Sequence, residues 1–151
     1  MGNKNFFPVP SEGTPGTADI PPGLNANEKK GFALLNETRV KNGLKPVTIA
    51  PGLAKAARLK ARDMLESNYF AHVSPAYGSL GNMLRNVGIS FTSAAENLSK
   101  AGNITQCHLQ LEYSTLGHRQ VMLNPIYNNV GIAVLPLTDA PGILMVQIYT
   151  N

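Results

Sequence analysis

The chain has one cysteine and no tryptophan, and only 15% of its 151 residues are charged. A single cysteine, Cys107, excludes an intrachain disulfide, so no covalent staple is available. It reads as a small buried hydrophobe. No apolar run approaches the ~18 residues that a membrane-spanning helix requires, so no membrane span is expected. No basic start followed by an apolar stretch is present either, so no signal peptide is visible. Strong net charge is missing too: 13 Lys and Arg against 9 Asp and Glu leave +4. The densest basic run, Lys55, Arg58, Lys60 and Arg62, lies beside Asp63 and Glu66 and reads as a solvated helix face. Without a basic stripe flanked by stacking aromatics, nucleic acid is not an expected partner.

What is there suffices for one core. At this length, with 43% hydrophobic residues, the chain can bury one good interior and not two. Residues 1–24 have no period and little to bury, and are read as a flexible Pro/Gly-rich leader. Residues 25–151 are read as the domain.

Asn25 followed by Glu28 is a capping-box pattern, which opens a helix expected to reach Val40, with Gly43 as its stop. Lys45–Ile49 is extended. A second helix is expected over Pro51–Asn68, its buried stripe formed by Leu53, Ala57, Ala61 and Met64 and its wet face by Lys55, Arg58, Arg62 and Glu66. Phe70–Ser79 is a loop, and Ser79 caps a short helix that ends at Gly88. Ile89–Leu98 reads as a strand with Glu96 near its end. A helix follows over Ile104–Leu116, and Gly117-His118-Arg119 starts another turn. Val130–Leu135 and Ile143–Tyr149 are apolar strands, joined in a hairpin through Asp139-Ala140-Pro141-Gly142. Helices around a small antiparallel sheet define an α+β layered fold.

Two of the three histidines, His72 and His118, stand in turn-like contexts where a ring can point into a cleft, as a metal ligand or general base requires. Each alone reads first as a surface or hydrogen-bonding histidine. Glu96 adds weight, because a carboxylate in an otherwise apolar strand is costly unless paired or hydrated. Glu112 and His108 lie four apart and share a helix face. They form either an ordinary surface pair or part of the same cleft, with Glu112 at its mouth facing His118. Ser74 and Ser79 are near His72 in sequence, yet no nucleophile elbow and no C-x-x-C are present. Asn103-Ile104-Thr105 matches a glycosylation acceptor and reads as accidental.

Several ordered blocks resemble one family. Leu35-Asn36-Glu37-Thr38-Arg39, Gly43-Leu44-Lys45-Pro46, and Leu53, Ala56-Ala57, Ala61, Asp63-Met64 resemble the first two helices of bacterial CAP (SCP-like) domains. His72-Val73-Ser74-Pro75 with Gly78-Ser79, Ala95-Glu96-Asn97-Leu98, and Gly117-His118-Arg119 with Leu123-Asn124-Pro125 follow in family order. Tyr127 and Val130–Val134 complete the series. The resemblance covers about residues 26–150. It implies a three-layer α-β-α sandwich with an open cleft, in which two histidines can hold a divalent ion, commonly zinc, beside two glutamates. His72 and His118 match the metal-site histidines and Glu96 the first glutamate. Glu112 falls where family members carry a Trp, so it either replaces the second acid from a shifted position or fills the Trp site.

The resulting expectation is an extracellular or cell-envelope protein, its signal segment removed, monomeric, with a cleft lined by His72, His118, Glu96, Glu112, Ser74 and His108. Zinc or another divalent cation is the expected cofactor, and a lipid, glycan or peptide the expected ligand. The alternative is a metal-dependent hydrolase of an extracellular substrate, with Glu96 as general base on a metal-bound water. Binding ranks first because two histidines fall short of the three protein ligands usual at catalytic zinc.

Overall fold

The structure is a computed structural model that describes residues 23–151. Residues 1–22 of the expected leader lie outside the described residues; its last residue, Leu24, packs against the core. The first helix, α1 (Ala26–Lys41), begins at the capping box that the sequence specifies. Asn25 accepts from the Glu28 N–H at 2.8 Å, and Glu28 accepts from the Asn25 N–H at 2.9 Å. The short strand β1 (Thr48–Ile49) leads into α2 (Pro51–Glu66), started by a proline whose missing N–H costs nothing at that position. After the His72 loop come α3 (Leu80–Asn86), capped by Ser79, and β2 (Ala94–Ala101). Helices α4 (Ile104–Glu112) and α5 (His118–Met122) precede the hairpin of β3 (Asn129–Pro136) and β4 (Ile143–Thr150).

The sheet runs β1-β3-β4-β2. β3, β4 and β2 are antiparallel, with Val134 opposite Met145 and Leu98 opposite Val146, and β1 adds a short parallel pair to β3. Period-2 alternation sends Val130, Ile132, Val134, Met145 and Tyr149 to one face, against Phe32 and Leu35 of α1 and Cys107 and Leu111 of α4. Ala133, Leu144, Val146 and Ile148 face the other way, against Leu53, Ala57, Ala61 and Met64 of α2. The fold is therefore a helix–sheet–helix sandwich, with β2 as an edge strand.

Three sequence expectations need correction. The strand expected at Ile89–Leu98 lies at Ala94–Ala101 instead. Gly88 (φ +82°) and the Ile89 N–H bonded to the Leu84 carbonyl still belong to the end of α3, and Thr92 and Ser93 turn their N–H groups to the Asn151 side chain. Glu96 consequently stands near the start of the strand. The helix expected to reach Leu116 stops at Glu112, where Tyr113 and Ser114 bond back to Leu109 and Leu111 and Ser114 caps the Leu116 N–H. The basic face of α2 is only partly wet. Arg58 donates to both oxygens of the fully buried Glu28 at 2.6 Å, and Lys60 is 1% exposed.

Candidate metal-capable cleft

Strand β2 organises the site through its pleat. Glu96 and Asn97 are consecutive, so their side chains point to opposite faces of the sheet. Each holds one histidine. Glu96 Oε1 lies 2.9 Å from His72 Nδ1 on the α2 side, and Asn97 Nδ2 donates to the His118 carbonyl at 3.0 Å on the α5 side. Both histidines line one cavity of about 380 Å³, together with Phe70, Ala71, Leu98, Ser99, Lys100 and Gln110.

His72 rides on a loop that is tied down at several points. Ser74 and Gly78 exchange backbone hydrogen bonds at 2.8 and 2.9 Å, a turn closed by Gly78 at φ +76°. The Ser74 hydroxyl accepts from the Ala76 and Tyr77 N–H groups and donates to Asp63 Oδ2 at 2.6 Å. Tyr69 donates to the same carboxylate oxygen. Burial and that carboxylate push the Tyr69 hydroxyl up to about 12. Lys60, one turn before Asp63 on α2, donates to the His72 carbonyl at 2.7 Å. His118 is set by Gly117, whose φ of +103° favours glycine, at the start of α5. Its Nδ1 lies 2.9 Å from Ser114 Oγ.

Both rings therefore have Nδ1 engaged, and no protein partner meets either Nε2 among the described residues. A carboxylate that accepts from Nδ1–H fixes the tautomer with the lone pair on Nε2, the arrangement typical of metal-ligating histidines. Glu96 is nearly buried, and its Oε2 has no hydrogen-bond partner. Burial raises its pKa, opposed by the bond from His72 and the charges of Lys60 and His72. Two imidazoles with open Nε2 atoms are donors of the kind that a divalent ion takes. Among the described residues no group of three or more His, Cys, Asp or Glu side chains could hold one alone. Water or a bound ligand would supply the remaining positions.

The other expected cleft residues sit elsewhere. Ser74 is buried against Asp63 and does not line the cavity. His108 and Glu112 form a separate cluster between α4 and α1. His108 Nε2 is 2.8 Å from Thr38 Oγ1 and 3.4 Å from Glu112 Oε1, while Glu112 Oε2 is 3.6 Å from Lys41 Nζ. The Glu112 carboxylate faces Lys41 and His108 rather than His118, because the last turn of α4 packs on α1, and its carbonyl accepts from Arg119 of α5. Burial lowers the pKa of His108.

Sequence reasoning missed Lys60, Asp63, Asn97 and Ser114. Lys60 was detectable: it falls three residues after Ala57 and four before Met64, inside the apolar stripe of α2. A lysine there has to be buried with a partner. The pairing of Ser114 with His118 depends on where α4 stops, which the sequence does not announce.

The helix–sheet–helix sandwich is the fold that the resemblance to CAP domains implies, and the match extends to the whole sequence pattern. Residues 32–149 match the CAP model, "Cysteine-rich secretory protein family". The chain belongs to this family. It is 39% identical over 125 residues to the uncharacterized protein YkwD of Bacillus subtilis, an alignment covering 83% of this chain and 49% of that protein. The chain thus spans about half the length of that curated relative. Among solved structures, an extracellular SCP-domain protein from Bacillus anthracis superposes with a TM-score of 0.73 at 27% identity, covering 85% of this chain and 41% of that one. An outer surface protein of Borrelia burgdorferi gives 0.74 at 20% identity, over 83% of this chain and 92% of that one, a likeness of fold alone. No helix of the described residues is long and apolar enough to cross a membrane.

Proposed function

We propose that this domain is an extracellular or cell-envelope binding module, whose cleft takes a divalent cation on His72 and His118 and a lipid, glycan or peptide beside it. One observation carries the reading. Each imidazole has its Nδ1 held by a protein oxygen, and the two rings share one cavity with both Nε2 atoms unpartnered among the described residues. Such pre-orientation lowers the entropic cost of gathering two ligands around an ion. Zinc is the first choice, since imidazole nitrogen suits it and two protein ligands leave positions for a bound molecule. The extracellular placement follows the Bacillus anthracis SCP-domain protein described as extracellular.

Native mass spectrometry of the purified protein, with and without chelator, tests the proposal. The expected result is a divalent ion that chelator removes and zinc restores, with any co-purified ligand leaving alongside it. A protein that takes up no ion from excess zinc and carries no ligand contradicts it.

Glu96 supports the hydrolase alternative, in which it serves as general base on a metal-bound water. Its unpartnered buried oxygen and raised pKa are features of such a base. Zinc-dependent cleavage of a peptide or ester, lost in Glu96→Gln, would favour the enzyme over the binder.

A further inference from the structure

Lys60 is a buried charged residue beside the cleft that the metal-binding chemistry does not require. Its side chain lies within the apolar stripe of α2 and is 1% exposed. A buried ammonium is costly unless its contacts compensate. Those contacts show what the lysine is for. Its Nζ donates to the His72 carbonyl at 2.7 Å and lies 5.1 Å from the centroid of the Tyr69 ring. Its charge also acts favourably on Glu96 and Asp63. These are the carboxylate that holds the His72 ring and the carboxylate that holds Ser74 two residues further on. Every partner of Lys60 thus belongs to the machinery that aims one imidazole, that of His72.

We propose that Lys60 is a positioning residue: by holding the His72 carbonyl from beneath, it keeps the imidazole on Glu96 and leaves Nε2 open to the cavity. The ring can rotate about two side-chain bonds, and Glu96 fixes the ring alone. Lys60 fixes the backbone from which that ring departs. His118 has an independent support in Asn97 and Ser114, so loss of Lys60 should disturb one histidine and spare the other. The inference rests on the metal-binding reading only for its consequence; the aim of His72 is measurable without metal.

The test compares the parent with Lys60→Met, which keeps the length and removes the donor and charge. In metal-free protein, imidazole nitrogen NMR shifts should show His72 of the parent as the Nδ1–H tautomer. In the variant His72 should move toward the mixed, solvent-averaged pattern, while His118 stays unchanged. Zinc affinity should fall about tenfold or more, the range for residues that orient a ligand. Unaltered His72 signals and an unaltered zinc isotherm would overturn the proposal. So would equal disturbance of both histidines, the mark of a general structural role. If the variant does not fold, the parent decides: a hydrogen-bond coupling from the Lys60 ammonium nitrogen to the His72 carbonyl carbon is expected, and its absence refutes the contact. A parent that binds no zinc, with the His72 shift still present in Lys60→Met, sinks the metal reading and leaves the role of Lys60 standing.

Discussion

Gly131→Ala should be among the most damaging single substitutions in the domain. Gly131 sits in β3 where α2 crosses the sheet. A Cβ added there would lie 2.0 Å from the Leu53 carbonyl oxygen and 2.6 Å from the Ala54 nitrogen. Ordinary non-bonded contact begins near ~3.5 Å, so about 1.5 Å must be made up by backbone on both sides. No side chain can rotate away to provide it. Helix α2 would have to lift, loosening Leu53, Ala56, Ala57 and Ala61 from Ala133, Val146 and Ile148. Overpacking a core costs about 1–3 kcal/mol when side chains can yield. With backbone on the far side we expect at least about 3 kcal/mol, a large share of a total stability of ~5–15 kcal/mol. At about 3–5 °C per kcal/mol for a domain of this size, the melting temperature should drop by about 10 °C or more. Because α2 also carries Lys60 and Asp63, the His72 loop should loosen in the same variant, visible as faster amide exchange over residues 70–79. Differential scanning calorimetry decides the first point, and a melting temperature within about 2 °C of the parent would refute the packing argument.

Two further predictions concern buried charge. Glu28→Ala removes the acceptor for Arg58, the Asn25 N–H and the buried Val134 N–H together. It should cost about 3 kcal/mol by urea denaturation, since three donors, one of them the buried Val134 N–H, lose their acceptor at about 1 kcal/mol or more each; a cost below about 1 kcal/mol would contradict it. His108 resists protonation in the folded state because burial lowers its pKa. The unfolded chain takes up that proton near pH ~6.5 and the folded one does not, so stability falls as pH drops below about 6.5, by at most about 1.4 kcal/mol per pH unit. Glu96 works in the opposite sense at lower pH, since its raised pKa makes the folded state the better proton acceptor. His108→Leu should therefore flatten the decline between about pH 6.5 and 5 relative to the parent. Identical pH profiles of denaturation midpoints would exclude the buried neutral histidine.

Much of the fold was legible because local chemistry and global packing agree in this chain. The Asn25/Glu28 capping box, the stripe of α2 and the hairpin strands each bury the face that their period specifies. The boundaries of β2 were not legible. Glu96 is nearly buried within it, while its end at Ser99-Lys100-Ala101 follows from register with Ile143–Met145 of β4. Pairing between segments more than forty residues apart overrides the local pattern. His72 and His118 were singled out for their turn-like contexts, and Glu96 because a carboxylate in an otherwise apolar strand is costly. His108 and Glu112 were placed in it on helical spacing alone, and spacing does not say which neighbour that helix face meets. Here it meets Thr38 and Lys41 of α1. Lys60 was hidden by company: in a run with Lys55, Arg58 and Arg62 it reads as surface, although its position in the stripe is interior.

The account depends most on His72 and His118 forming one metal site, and isothermal titration with zinc tests this directly. At about pH 7.5 the parent should bind one ion, and binding should weaken on acidification, because a protonated imidazole has no lone pair to donate. His72→Ala and His118→Ala should each nearly abolish binding while leaving the circular dichroism spectrum intact. Glu96→Gln should weaken binding less, since its bond to Nδ1 orients the ring without touching the ion. Unchanged affinity in both histidine variants would contradict the account and leave only a polar cleft at the edge of β2.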